Sequence, residues 1–288
     1  MKDLNLYIKE SLLDDEDILL NDTGKGSIEK LIKDFLKENY RCTDCVIKED
    51  NGKFIVDCPK THLGMVKDIK HLTNEYFEFG LVRSINIYDN DNLVSLKGGP
   101  KKVKSKFSCT GCNSLTSLEG TPKEVDGEFE CSFCNSITSL EGSPEKVRGD
   151  FEIYKLPKLT SLKGMTQWIE GNIRIIRCSE LKSLKGISED IDNGLFISGC
   201  DKLSDLTGLP KKIVGHLKIM GCESLSSLKG CPEVISGDFY ISDCDKLDLL
   251  KYGPKLVHGD YIIDEKYKIT KEDIEKRCNV GGEIIFMQ

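Results

Sequence analysis

Any chemistry in this chain has to start from cysteine. Cys109-x-x-Cys112 is followed by Cys131-x-x-Cys134, two pairs whose spacing matches four-thiolate zinc ligation. A competing account comes from periodicity. Cys112, Cys134, Cys178, Cys200, Cys222 and Cys244 share one position of a 22-residue repeat. Cys109 and Cys131 fall in a column otherwise held by isoleucine, where cysteine serves as a small hydrophobe. Register explains all of them without a metal, so a structural role is favoured over zinc at Cys109, Cys112, Cys131 and Cys134. Cys42-x-x-Cys45 has no paired motif nearby. His62, His71, His216 and His258 are scattered. The stretch 23–27, Thr-Gly-Lys-Gly-Ser, lacks the leading glycine and preceding strand of a phosphate loop. No catalytic constellation emerges, and neither an enzyme nor a cofactor is expected.

The elements that must position these residues are set by the repeat, in step from Leu93 to Lys246 and fading near Asp264. Leu93, Leu115, Ile137, Leu159, Leu181, Leu203, Leu225 and Leu247 form one apolar column, with a leucine column three residues on, from Leu96 to Leu250. Then comes a valine or isoleucine position from Val103 to Val257. An aromatic or aliphatic one follows, from Phe107 through Phe129 and Phe151 to Tyr261, and an isoleucine column from Ile153 to Ile263. Stacked columns of this kind imply a solenoid whose units bury their apolar faces against neighbours. Phe151-x-Ile153 and Phe239-x-Ile241 alternate with period two, so each unit contributes a short strand, parallel to the next and about 4.8 Å from it. Glycine and proline recur on the return path, at Gly98 to Gly230 and Pro100 to Pro254, which excludes a regular helix there. The fold class expected is mostly β: a solenoid with one parallel sheet, an α/β N-terminal cap and a small C-terminal cap.

Leu195-x-Ile197-x-x-Cys200-x-x-Leu203-x-x-Leu206 resembles the leucine-rich-repeat core, and the C-x-x-L-x-S-L spacing is closest to the cysteine-bearing, BspA-type branch. Ile85-x-Ile87-x-x-Asn90 fits the same core with asparagine in the cysteine place. The resemblance covers residues 85–264 and implies a leucine-rich-repeat-like solenoid. It departs from the family in its short return side and in the glycine before the strand, at Gly127, Gly149, Gly171, Gly215, Gly237 and Gly259. The opening residues 1–15 are similar to short leaders on proteins of large tailed phages, and S-L-x-G-x-P-x-x-V repeats are common in phage-encoded proteins.

Outside the repeat, residues 1–21 read as a leader or first helix, 22–84 as the N-terminal cap and 265–288 as the C-terminal cap. Ile28, Leu31, Ile32, Phe35 and Leu36 have helical spacing with Ser27 as N-cap candidate. Residues 45–57 read as a hairpin around Asn51-Gly52. A helix at Thr270–Cys278 and a strand at Glu283–Met287 are expected to close the far end. The net charge of −7 argues against nucleic acid, and the cluster Lys101, Lys102, Lys104 and Lys106 reads as solvated lysines. No run of apolar residues is long enough to span a membrane. The odd cysteine count of 13 and the absence of a signal pattern point to a reducing cytoplasm, of the host or within a virion if phage-encoded.

Residues between the buried strand positions point outward. The first outward column reads Ser108, Glu130, Glu152, Arg174, Phe196, Lys218, Tyr240 and Ile262. The second reads Thr110, Ser132, Tyr154, Ile176, Ser198, Met220, Ser242 and Asp264. Glu128, Glu130, Asp150 and Glu152 form an acidic patch, and Tyr154, Ile176, Phe196, Met220 and Tyr240 an apolar band with Arg174 beside it. Aromatics and arginine are enriched at interface hot spots. Glu130, Glu152, Tyr154, Arg174, Ile176, Phe196, Lys218, Met220 and Tyr240 are therefore the candidate contacts for a protein partner. The expected function is non-enzymatic protein recognition. The alternatives are a structural or packaged phage virion component and a zinc-binding domain. Thr166 and Ser188 replace the repeat proline, Trp168 is the one tryptophan, and Leu156-Pro157 replaces a cysteine. These substitutions mark the middle units as irregular.

Overall fold

A computed structural model describes residues 24–40, 42–50, 53–64 and 77–288. The expected leader and first helix, and the Asn51-Gly52 turn, lie outside the described residues.

The repeat folds as a β-solenoid of 22-residue coils. Each regular coil makes two short strands with turns and extended chain between them. The longer strands form the main ladder: Ile85 pairs with Phe107, Phe107 with Phe129, Phe129 with Phe151 and Phe151 with Ile173, in parallel and in register. The ladder continues through Leu195, Leu217, Phe239 and Tyr261. The two-residue strands form a return ladder through Val103, Val125, Val147 and Ile169. A second section runs through Ile213, Ile235 and Val257. Residues 190–191 make no strand, so the return ladder breaks between Ile169 and Ile213.

The columns read from the sequence form the core. Every leucine from Leu96 to Leu228 at its position is fully buried, as are Ile153, Ile175, Ile197, Ile219, Ile241 and Ile263. Inside, Phe107 stacks on Phe129 at 5.3 Å between ring centroids, and Phe129 on Phe151 at 5.0 Å. The glycines before the strands stack backbone on backbone: Gly149 N donates to Gly127 O at 2.9 Å and Gly171 N to Gly149 O at 3.2 Å. A Cβ on Gly149 would stand 2.6 Å from the Gly127 carbonyl carbon. Close approach, not backbone freedom, demands glycine here.

At the N-terminal end, β1 (Val46–Asp50) pairs antiparallel with β2 (Lys53–Gly64), and β2 pairs parallel with β3 (Phe77–Tyr88). One stretch of β3 feeds the return ladder through Val82 and the next feeds the main ladder through Ile85. Helix α1 (Gly24–Tyr40) buries Ile32, Phe35 and Leu36 in the same core. Ser27 lies inside this helix rather than capping it, because the helix extends back to Gly24. At the other end, α2 (Lys271–Glu275) is shorter than the Thr270–Cys278 expected. Thr270 caps it through a reciprocal box with Asp273. Asn279–Val280 and Ile284–Met287 then add a rung to each ladder, Leu256 to Asn279 and Tyr261 to Ile284. The C-terminal segment is thus one more coil, a residue longer than the others, with a short helix in place of the usual turns. Among the described residues, no helix is long and apolar enough to cross a membrane.

Candidate functional site

The cysteine column has a local reason. Cys134 Sγ donates to Ser132 O at 3.4 Å, Cys222 Sγ to Met220 O at 3.6 Å and Cys244 Sγ to Ser242 O at 3.3 Å. Cys112, Cys178 and Cys200 make the same longer contact two residues back. Each thiol adds a second, weaker donor to a corner carbonyl that already accepts the ladder amide of the preceding coil. Cys109, Cys112 and Cys134 bring their sulfurs within 4.8 Å of one another, all buried. Cys131 lies in the same cluster, close enough to Cys134 to interact with it. Hydrogen bonds to Cys112 and Cys134, together with burial, push the Cys109 thiol well up, and the Cys134 bond and burial do the same to Cys131. Metal ligation needs thiolates. Hydrogen bonds from Cys109, Cys112 and Cys131 hold the Cys134 thiol well below its ordinary value, so the array is three raised thiols converging on one sulfur that favours the thiolate. Near the N-terminal end, Cys42 Sγ sits 3.0 Å from Cys58 Sγ, and Cys45 also interacts with Cys42.

On the sheet face, Glu130, Glu152, Tyr154, Arg174, Ile176, Phe196, Lys218, Met220 and Tyr240 are all half-exposed, whereas the columns between them are buried. Four residues expected to face outward differ: Ser108, Ser132, Ser242 and Asp264 are buried. Longer neighbours roof them. Ser132 Oγ donates to Glu130 Oε1 at 2.7 Å, and Asp264 Oδ2 accepts the Asp243 amide at 2.8 Å.

The acidic patch is largely neutralised. Lys106 Nζ reaches Glu130 at 2.7 Å and Glu128 at 3.5 Å, and Arg174 pairs with Asp150. Burial pushes the Asp150 carboxyl up, but the Arg174 guanidinium and the Asn172 amides outweigh it and hold the group below its ordinary range. Asp150 Oδ1 accepts the Asn172 amide at 2.7 Å, as Asp238 accepts that of Asp260 at 2.8 Å. This carboxylate is a rung-to-rung brace. Glu152 is pushed up, by burial first and then by Glu130. Three of the four clustered lysines are paired, Lys106 as above, Lys101 with Glu78 at 3.1 Å and Lys102 with Glu124 at 2.8 Å.

The apolar band carries cations on its rings. Arg174 lies 5.5 Å from the Phe196 centroid and Lys218 Nζ 4.1 Å from that of Tyr240, a contact worth roughly 0.5–1 kcal/mol at exposed sites. Trp168, on the return side, is 59% exposed with Lys146 Nζ 3.6 Å above its ring.

One group of residues was missed among the sequence candidates. The corner position after each strand reads Asp89, Gly111, Phe133, Lys155, Arg177, Gly199, Gly221 and Asp243, and every one has positive φ. Phe133, Lys155 and Arg177 adopt φ of 54°, 52° and 54°, a left-handed conformation that costs a bulky residue on the order of 1 kcal/mol. The signal was present as three large side chains in a column of glycine and aspartate. No family model matches this chain, and neither the curated proteins nor the solved structures contain a match.

Proposed function

We propose that the chain is a non-enzymatic protein-recognition module that binds a partner protein on the exposed face of its main ladder. The observation that carries this reading is the contrast between columns. Interior positions repeat leucine, isoleucine and cysteine from coil to coil, while the outward positions change identity and assemble Tyr154, Ile176, Phe196, Met220 and Tyr240 into one half-exposed band. Two of its rings are capped by Arg174 and Lys218, the amphipathic composition that dominates binding energy at interfaces. A rigid ladder fixes the backbone beneath these side chains, which lowers the ordering cost at binding. We assign the solenoid to the leucine-rich-repeat-like class, on its repeat length, its cysteine position and its parallel ladder. A phage source agrees with the S-L-x-G-x-P pattern of its turns.

The test is affinity capture from a candidate host lysate, with wild type and the Phe196→Glu/Tyr240→Glu variant side by side. Both positions are half-exposed, so the variant is expected to melt within a few degrees of wild type. A protein retained by wild type and lost by the variant is the expected result. Equal retention by both would remove the sheet face as the binding surface.

A further inference from the structure

We propose that the corner built by Phe133, Lys155 and Arg177 binds a carboxylate side chain on an acidic, extended segment of the partner, with an apolar neighbour of that side chain resting on Phe133. The inference rests on the protein-recognition reading and names the chemistry of the partner at one end of the same face.

Three observations converge. The first is conformational. Amides of the corner column continue the ladder, Phe133 N to Tyr154 O at 2.9 Å, Lys155 N to Ile176 O at 2.9 Å and Arg177 N to Ser198 O at 2.7 Å. The left-handed backbone is therefore imposed by the solenoid whatever the side chain, and glycine meets it without strain at Gly111, Gly199 and Gly221. Phe133, Lys155 and Arg177 work against folding at this position, as residues kept for binding do.

The second is space. Phe133, Asn135, Lys155, Arg177, Gly199 and Asp201 are among the residues lining a cavity of about 400 Å³. A Cβ on Gly199 would stand 3.2 Å from Arg177 Cγ, so glycine there leaves room for the arginine side chain. Phe133 is 41% exposed and meets Tyr154 edge-on at 5.0 Å. Tyr154 belongs to the sheet band, which makes corner and face one surface.

The third is charge. Several cations on these coils are matched rung to rung with carboxylates, as in Lys146 with Glu170 at 3.1 Å and Arg148 with Asp126 at 3.1 Å. Among the described residues, neither Lys155 nor Arg177 has an acidic partner. Lys155 Nζ lies 4.7 Å from the Phe133 centroid and 5.5 Å from that of Tyr154. Arg177 Nη1 donates to Tyr154 Oη at 3.3 Å, which leaves most of its fork for a bidentate anion. A chain of net charge −7 thus holds two uncompensated cations over an exposed aromatic pair. Asp201 stands on the cavity wall and opposes a dianion, so a carboxylate suits the site better than a phosphate.

Fluorescein-labelled peptides carrying glutamate–phenylalanine–glutamate between glycines, with glutamine and phosphoserine counterparts, would be titrated against the full chain by anisotropy. Saturable binding of the glutamate peptide, at least tenfold tighter than the glutamine peptide and weakened by salt, is expected. The Lys155→Gly/Arg177→Gly variant should bind at least tenfold more weakly while melting at the same or a higher temperature. The higher melting point is a readout that simple unfolding cannot produce. Absence of saturable binding, or equal binding by the variant, overturns the site. Equal binding of the neutral peptide overturns the anion, and preference for phosphoserine overturns the carboxylate. Failure of the sheet-face reading would appear separately, as unchanged capture by the Phe196→Glu/Tyr240→Glu variant.

Discussion

The thiols carry a pH signature. Burial pushes Cys178 up to about 11 and Cys278 to about 11, from an ordinary 9.0. Cys222 is pushed up to about 12, its bond with Cys200 acting first and burial adding to it, against a bond with Cys244 that lowers it. A thiol raised in the folded state binds its proton where the unfolded chain has lost it, so stability falls as pH rises from about 9 toward 11. Cys178 alone, fully buried, is then expected to cost about 3 kcal/mol across that window at 1.36 kcal/mol per pKa unit. Urea melts at pH 8, 9, 10 and 11 should show a midpoint that holds to pH 8 and then drops steeply. In Cys178→Ala the drop should be shallower, from a lower starting stability. A flat profile to pH 11 would mean that the thiols are not buried as protonated groups.

At the scale of the element, the strand is held by what precedes it as much as by its own side chains. Gly127, Gly149 and Gly171 let adjacent coils close to hydrogen-bond distance, and each following carboxylate or amide braces the next amide. Gly149→Ala places its methyl against the Gly127 peptide and should destabilise by about 1–3 kcal/mol, the range of an overpacked interior. Glu128→Ala, on an exposed side chain next door, should be near neutral by the same thermal melt. The glycine column was visible in the sequence because the period never slips; its cause was not, since backbone contact between coils leaves no mark on the residue beyond its missing side chain. The corner column shows the opposite limit. Asp, Gly, Phe, Lys and Arg share no polarity or size, so only the ladder reveals that they share one backbone conformation. The C-terminal coil escaped for a third reason. Tyr261 pairs with Ile284 at a spacing of 23 rather than 22, and the helix that replaces the usual turns hides the repeat behind a local signal of its own.

For the whole molecule, a solenoid is coupled only through neighbouring coils, so its weakest interface sets how it opens. That interface lies at residues 188–193. Ser188 stands where the repeat has proline and uses Oγ to hold Gln167 O at 2.7 Å and Asp190 O at 2.8 Å. Beyond it the equivalents of Glu170 N to Val147 O and Gly171 N to Gly149 O are not made by Asp192 and Asn193, where Asn193 Nδ2 donates to Glu170 O instead, and Val214 N to Ile191 O restores the first of the two. The main ladder crosses this coil intact, Ile173 to Leu195 to Leu217, and Leu184, Ile187 and Ile191 stay buried. The coil is therefore loosened on its return side alone. Native-state hydrogen exchange should find amides 189–193 at least tenfold faster than amides 167–171, with amides 195–198 as slow as 173–176. Uniform protection of both stretches would mean that the missing return rung carries no stability. Fast exchange spreading into 195–198 would mean that the solenoid parts into two blocks here. The sheet band spans this coil from Ile176 to Phe196 and Met220, so a partner lying across it would bridge the weak interface and slow its opening, coupling recognition to the stability of the coil beneath.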